Sequence, residues 1–173
     1  MIIHDLSVRQ AGQLFQNKLH KEYLAALEGD DNILLEDGAI RNCIGCFGCW
    51  VKTPGRCVLK DAYSDMGAKL GSCSQLLIVS KCCYGGFSPF VKNVLDRSIS
   101  YILPDFSIRN GEMHHKHRYT NSIQLKVVFY GDEITKQEKE TAMNLVKANA
   151  INFNCKVEEI IFLTTNELME GVQ

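Results

Sequence analysis

One stretch, QLLIVS at residues 75–80, constrains the fold of this chain more than any other. It is a short, nearly continuous apolar run, which is typical of a strand buried on both faces of a parallel sheet. Four further segments have strand character: residues 1–6, 32–40, 123–130 and 157–164. Helical patterns lie between them, and such alternation predicts a parallel sheet with helices on both faces.

The connections between the strands favour one topology. Right-handed crossovers through five strands predict a flavodoxin-like, doubly wound α/β fold with strand order 2-1-3-4-5 and three layers, α/β/α. Residues 11–27 carry a helical stripe, and a short, weaker pattern covers residues 61–70. Ser88 followed by Pro89 predicts a helix start, and Pro104 is expected to end that helix after Leu103. Thr135 and Glu138 have the spacing of a capping box. Residues 105–122 are expected to be an irregular excursion that forms part of a subunit interface.

Composition narrows the functional class. With 173 residues, the chain is expected to form a single domain over residues 1–173. Its net charge of −1, with scattered basic residues, argues against nucleic acid as a partner, and no apolar run is long enough to span a membrane. Eight cysteines without a signal peptide predict a reducing, cytoplasmic compartment.

The residue types with distinctive chemistry are concentrated in the loops that follow the predicted strands. In open parallel sheets, ligands bind beyond the carboxyl ends of the strands. The loops expected at that edge are residues 6–12, 41–60, 81–88 and 131–135, and they contain most of the cysteines, the one tryptophan and two glycine-rich turns. This pattern predicts a ligand site at that edge of the sheet.

Four cysteines, Cys43, Cys46, Cys49 and Cys57, have the spacing C-x2-C-x2-C-x7-C. Thiolates so placed suit a [4Fe–4S] cluster or zinc. They equally suit a tight glycine- and cysteine-rich loop beside a ligand site or a subunit interface, which is the simpler interpretation. Adjacent cysteines at 82 and 83 suggest buried packing rather than redox chemistry.

Other candidate residues favour structural roles. Three histidines, at 114, 115 and 117, lack a completing carboxylate pattern and are expected to anchor their segment by hydrogen bonds. Trp50 suits either stacking on a ligand or partial burial in its loop. Asp96 and Arg97 are interpreted as a structural ion pair.

Two of these loops resemble those of the NAD(P)H-dependent FMN reductases of the flavodoxin-like superfamily and of the related iron–sulfur flavoproteins. The first is CIGCFGCWVKTPGRCVLKD at residues 43–61. The second is YGGFSPFVKNVLDR at residues 84–97, and GEMHHKHRY at residues 111–119 resembles a variant within this group. The resemblance implies a homodimer or homotetramer that binds FMN and transfers electrons from NADH or NADPH to a small-molecule acceptor. It implies no catalytic acid or base, because the flavin performs the hydride step.

The resemblance also assigns site residues. It implies that Tyr84, Gly85, Gly86 and Ser88 line the isoalloxazine ring. It places Cys49 and Trp50 at the border of the site. Ser7, Arg9 and Gln10 stand where the group has its phosphate loop, but SVRQAGQLF at residues 7–15 is short and poor in hydroxyls, so the phosphate is expected to be held weakly.

Three functions therefore remain open. The first is an FMN-dependent NAD(P)H oxidoreductase. The second is an iron–sulfur flavoprotein that uses the four cysteines for electron transfer. The third is a binding protein on a flavodoxin scaffold that has lost its flavin.

Overall fold

The computed structural model describes residues 1–7, 10 and 33–170. These residues contain seven strands: β1 (Ile2–His4), β2 (Ile33–Leu35), β3 (Gln75–Lys81), β4 (Ile102–Arg109), β5 (Glu112–His117), β6 (Ile123–Tyr130) and β7 (Cys155–Leu163). They also contain five α-helices: α1 (Gly48–Val51), α2 (Met66–Gly71), α3 (Pro89–Arg97), α4 (Lys136–Asn152) and α5 (Thr165–Glu170). The helix predicted for residues 11–27 lies outside the described residues.

Five strands form one parallel sheet in the order β2-β1-β3-β6-β7. The prediction of a five-stranded parallel α/β sheet is thus confirmed. The chain-order numbering differs from 2-1-3-4-5 because β4 and β5, which pair only with each other, intervene between the third and fourth strands of this sheet. Ile78 of β3 lies between Ile3 of β1 and Val127 of β6, so the run predicted to be a central strand is central.

Side chains of β3 alternate between two apolar clusters, one on each face of the sheet. Ile78 joins the larger cluster, to which α2, α3 and α4 contribute buried residues. Val79 joins the smaller cluster, which includes Leu168 of α5. Because both faces carry helices, the sheet is the middle layer of the fold, as the apolar run at residues 75–80 predicted.

Both predicted helix starts are confirmed by their caps. The Ser88 hydroxyl accepts a hydrogen bond from the Val91 N–H, and Pro89 is the first residue of α3. In α4, Thr135 Oγ1 accepts from the Glu138 N–H at 3.2 Å, while the Glu138 carboxylate accepts from the Thr135 N–H at 2.9 Å. These reciprocal bonds satisfy donors that a helix start otherwise leaves unpaired.

The prediction of an irregular excursion at residues 105–122 is wrong. Strands β4 and β5 form an antiparallel hairpin there, closed by Asn110 and Gly111 with φ of 53° and 83°. Two adjacent positive φ angles are those of a type I′ turn, for which Asn-Gly is the preferred sequence. Pro104 lies inside β4 and does not end a helix; α3 ends at Arg97 and continues as a 3-10 turn, Ser98–Tyr101.

Other boundaries shift by a few residues. The second strand is shorter than the predicted range 32–40, and the helix predicted for 61–70 starts only at Met66. Two short helices, α1 and α5, were not predicted from the sequence. Within the described part of the chain, no helix combines the length and apolar character needed to cross a membrane.

Candidate functional site

A cavity of about 690 Å³ opens at the carboxyl ends of β3 and β6. Its walls come from the ends of these two strands, from the residues that lead into α4, and from the start of α5. The residues that line it are Gln10, Lys81, Cys82, Tyr130, Gly131, Asp132, Glu133, Ile134, Glu138 and Thr165. This is the edge of the sheet at which the loop chemistry predicted a ligand site.

The loop after β3 forms a tight turn beside this cavity. Cys83 and Gly86 exchange two backbone hydrogen bonds, of 2.9 and 2.8 Å, around Tyr84 and Gly85. Both central residues have positive φ, 53° and 76°, so the turn is of the type I′ class. A β-carbon on Gly85 would lie 2.8 Å from Cβ of Thr141, which shows how closely the turn approaches α4. The Tyr84 ring is 95% exposed and projects from this fixed turn.

Ser88 is buried and holds the base of the same loop. Its hydroxyl caps α3, and its N–H donates to Oγ of Ser80 at 2.8 Å. The Ser88 side chain, assigned to the flavin site through the resemblance, is thus engaged in capping α3. Cys82, next to β3, has its thiol pKa raised by burial, which favours the packing role predicted for the cysteine pair.

Asp5 follows β1 directly and contacts the carboxyl ends of β3 and β6. Its carboxylate accepts a hydrogen bond from the Lys81 N–H at 2.9 Å and another from the Tyr130 hydroxyl at 3.1 Å. Burial, followed by the neighbouring Asp5 charge, raises the pKa of Tyr130, so this phenol stays protonated and donates. Sequence reasoning missed Asp5, although its place directly after the first strand was a usable signal.

Ser7 and Gln10 bind each other. The Ser7 N–H and hydroxyl donate to Oε1 of Gln10 at 3.1 and 2.7 Å, and the Gln10 N–H donates to the Ser7 hydroxyl at 3.3 Å. This is the Ser-x-x-Gln form of the capping box, another signal present in the sequence. Arg9, the remaining residue assigned to the phosphate loop, lies outside the described residues.

The cavity has an acidic lining. Asp132, Glu133 and Glu138 face Lys81, which is the single basic side chain among the described lining residues. The Asp132 carboxylate accepts a hydrogen bond from the Thr165 N–H at 2.9 Å, and this bond lowers the Asp132 pKa. A further carboxylate, that of Asp5, contacts two lining residues, Lys81 and Tyr130.

The four cysteines line a second, smaller cavity of about 300 Å³. Its walls are formed by Cys43, Ile44, Gly45, Cys46, Phe47, Cys49, Trp50, Cys57, Leu59, Asp96, Arg97 and Ile99. Gly45 and Phe47 have positive φ, and a β-carbon on Gly48 would lie 2.5 Å from a Val58 methyl group, so the chain turns tightly here. This geometry matches the simpler interpretation of the motif, a close-packed loop.

The structure does not support the metal and iron–sulfur interpretations of this motif. Across residues 1–7, 10 and 33–170, no three His, Cys, Asp or Glu side chains form a group that could hold a metal ion. Burial, with the nearby Cys57 thiol as the next cause, raises the pKa of Cys49.

Trp50 joins the cysteine loop to the hairpin. Its indole N–H donates to the Ile102 carbonyl at 3.0 Å, and its ring lies 5.5 Å from that of Phe47 and 4.9 Å from that of His115. Trp50 and Cys49 line the smaller cavity, whereas Gln10 lines the larger one. Within one chain, the structure therefore does not bring all of the residues assigned through the resemblance into one site.

Polar contacts of His114 and His117 agree with the anchoring role expected of the histidines. His115 is instead held by ring contacts, and its Nδ1 has no hydrogen-bond partner among the described residues. His114 Nδ1 lies 3.0 Å from Oδ1 of Asn152, His115 packs against Trp50 and Phe106, and His117 contacts Arg109. Burial and the Arg109 charge lower the pKa of His117.

The predicted pair of Asp96 with Arg97 is wrong. Adjacent residues on a helix point in different directions. Asp96 instead pairs with Lys92 one turn earlier, and Arg97 pairs with Asp61.

Comparison of the fold with solved structures gives clear neighbours. An FMN-dependent NADH-azoreductase from Bacillus anthracis strain Ames Ancestor, in complex with FMN, matches with a TM-score of 0.57 and 11% identity over 98% of this chain and 91% of that one. An azoreductase from Bacillus anthracis strain Sterne matches with a TM-score of 0.55 and 12% identity, over 98% and 92% of the two chains. A structure assigned as a quinone reductase from Klebsiella pneumoniae matches with a TM-score of 0.52 and 11% identity, over 96% and 75%.

These neighbours belong to the flavodoxin-like NAD(P)H-dependent FMN reductase group. The resemblance stated from the two loops is therefore confirmed at the level of the fold. No protein-family model matches the sequence, and no curated protein matches it.

Proposed function

We propose that this chain is a flavin-dependent oxidoreductase that uses a reduced nicotinamide nucleotide as hydride donor and a small molecule as acceptor. The observation that carries the proposal is the 690 Å³ cavity at the carboxyl ends of the strands, beside an exposed aromatic turn. Cavities of this size are typical of cofactor sites. The fold neighbour that contains FMN supports flavin as the class of ligand.

The turn that follows Cys82 suits a flavin ring, although Tyr84, Gly85 and Gly86 do not themselves line the cavity. Tyr84 presents an uncovered aromatic face on a turn fixed against α4, and Gly85 and Gly86 leave the turn without bulky side chains. In this site the chain would orient the ring and limit access of water, and a bound flavin would supply the hydride chemistry. No side chain is assigned as an acid or base.

The other implied roles are proposals of the same kind. We propose that residues 1–173 form one domain and that two copies associate. Association would let Cys49 and Trp50 of one subunit border the cavity of the other, because within one chain they line a different cavity.

A flavin titration tests the proposal directly. Flavin fluorescence should be quenched on addition of the protein, and NADH or NADPH should bleach the flavin absorbance anaerobically. Tyr84→Ala should weaken flavin binding about tenfold through loss of stacking, while Tyr84→Phe, which keeps the ring, should bind nearly as well as the wild type. Equal affinities for the two variants would remove Tyr84 from the site.

A second candidate is a non-enzymatic binding protein on the same scaffold. The hydrogen bonds within the pair Ser7 and Gln10, and those of Asp5 with its neighbours, favour it, because they occupy the donors that a flavin phosphate needs. Purified protein without visible absorbance and without flavin uptake would establish this candidate and exclude the oxidoreductase.

A further inference from the structure

The crevice between β1 and β3 is the position that parallel sheets of this order use for a flavin nucleotide. A phosphate bound there requires backbone N–H groups, hydroxyls and a helix N-terminus that are free to donate. Among the described residues that follow the two strands, residues 5–7, 10 and 82 onwards, the hydrogen bonds show which donors are already engaged.

Several donors among the described residues already have acceptors within the protein. The Lys81 N–H and the Tyr130 hydroxyl both donate to Asp5. The N–H and hydroxyl of Ser7 both donate to Oε1 of Gln10. A phosphate could accept hydrogen bonds from these groups only by displacing their internal acceptors. Each hydrogen bond gained by the phosphate would then cost a hydrogen bond within the protein.

The charges oppose a phosphate as well. The Asp5 carboxylate accepts the hydrogen bonds of the Lys81 N–H and the Tyr130 hydroxyl, two residues of the cavity lining, and Asp132, Glu133 and Glu138 belong to the same lining. Lys81 is the one cationic side chain among the described residues of this lining. A phosphate dianion would therefore meet several negative charges, and like charges at short range repel.

We infer that this cavity accepts a flavin through its ring and excludes the 5′-phosphate, so that its preferred ligand is a neutral flavin such as riboflavin and not FMN. The inference rests on the proposed function, because it names the ligand of the same site. Asp5 is the residue that sets the preference, because its carboxylate already accepts the hydrogen bonds of the Lys81 N–H and the Tyr130 hydroxyl.

The test compares riboflavin with FMN by fluorescence titration. Riboflavin should bind at least as tightly as FMN to the wild-type protein. Raising the salt concentration should narrow the difference between the two, because screening weakens repulsion of the dianion and leaves the neutral ligand unaffected. FMN binding tenfold or more tighter than riboflavin would overturn the inference and leave the proposed function standing.

Two variants test whether the negative charge of the carboxylates is what weakens FMN binding. Asp5→Asn should improve FMN binding about fivefold to tenfold and change riboflavin binding little. Glu133→Gln removes one exposed charge at the cavity without touching a hydrogen bond in the crevice, and should improve FMN binding by a smaller factor in the same direction. If each variant changed the affinities for FMN and riboflavin by the same factor, electrostatic exclusion of the phosphate would be contradicted. If neither FMN nor riboflavin bound, the proposed function would be overturned together with the inference.

Discussion

Arg97 and Asp61 form a bidentate ion pair beneath the cysteine loop, with Nη1 and Nη2 of the guanidinium each 2.8 Å from a carboxylate oxygen. Arg97 is 1% exposed. It also donates to the backbone carbonyls of Arg41 and Leu59, at 2.8 and 3.4 Å. Because these residues precede and follow the loop, one side chain of α3 holds both ends of residues 43–57.

We expect Asp61→Asn to lower the free energy of unfolding at pH 7 by about 3 kcal/mol, because it leaves a buried guanidinium without its counter-charge. The matched control is Asp96→Asn, which removes a carboxylate from the exposed pair with Lys92 and should cost less than about 1 kcal/mol. Urea unfolding of the two variants and the wild type measures both values. Equal losses of unfolding free energy in the two variants would show that the buried ion pair stabilises the fold no more than the exposed pair does.

The same pair predicts a pH dependence. The hydrogen bonds from Arg97 lower the pKa of Asp61 in the folded protein, so its stabilising effect is complete above the unfolded-state pKa of about 4 and is lost as the pH falls through the folded value. The difference between wild type and Asp61→Asn should therefore shrink below about pH 4. A difference that stays constant from pH 7 to pH 3 would contradict this assignment.

How much of this fold can be predicted from sequence depends on how local each signal is. The caps of α3 and α4 and the apolar run of β3 depend on neighbouring residues, and all three are confirmed. The Asp61–Arg97 pair joins residues 36 positions apart, and nothing near either residue indicates it. The hairpin differs from this pair, because its turn has a local signal, Asn110-Gly111, whereas the length of the segment favours an irregular connection.

Gly85→Ala should destabilise the protein by about 2–4 kcal/mol and displace the turn at residues 83–86 from α4. The substitution combines the cost of a positive φ with a contact of 2.8 Å to Thr141. Gly38→Ala is the control, because Gly38 has a similar φ of 74° and no atom within 4 Å of the added carbon. The difference in unfolding free energy between the two variants measures the cost of the contact with Thr141. If there were no difference, the turn would move away from α4 without a cost in stability.

The hairpin should contribute to self-association. Ile108 and Met113 are direct cross-strand partners, and they are 79% and 71% exposed. Apolar side chains that are paired and exposed in this way suit an interface. The double variant Ile108→Lys, Met113→Lys should shift sedimentation velocity profiles towards the monomer, while Leu35→Lys, at an exposed apolar residue on β2, should not. An unchanged mass distribution across a wide concentration range would exclude the hairpin from the interface.

The cysteines should differ in reactivity. Cys43 and Cys46 are exposed, whereas Cys49 is buried and has a raised thiol pKa. Burial also raises the pKa of Cys155, to about 12. At pH 8, iodoacetamide should therefore label Cys43 and Cys46 much faster than Cys49 and Cys155, as followed by mass spectrometry over time. Rapid labelling of Cys49 would show that the loop opens in solution.

The candidate site was only partly predictable. The location of the cavity follows from the topology, which the alternation of strands and helices indicates. The bonds of Asp5 to Lys81 and Tyr130 depend on three separate strands meeting at one edge, with up to 125 positions between the partners. Sequence reasoning could identify the shortage of hydroxyls after β1 and the position of Asp5 directly after that strand, but not the partners of the Asp5 carboxylate.

The hydrogen bond from the Ser88 N–H to the Ser80 hydroxyl has a consequence for engineering. It joins Ser80, the last buried residue of β3, to Ser88, the N-cap of α3. The two residues that flank the loop 81–87 are therefore hydrogen-bonded to each other. A segment anchored in this way can be exchanged for another of equal length while its attachment points stay in place. The turn that carries Tyr84 is thus a natural position for grafting loops that recognise other aromatic ligands.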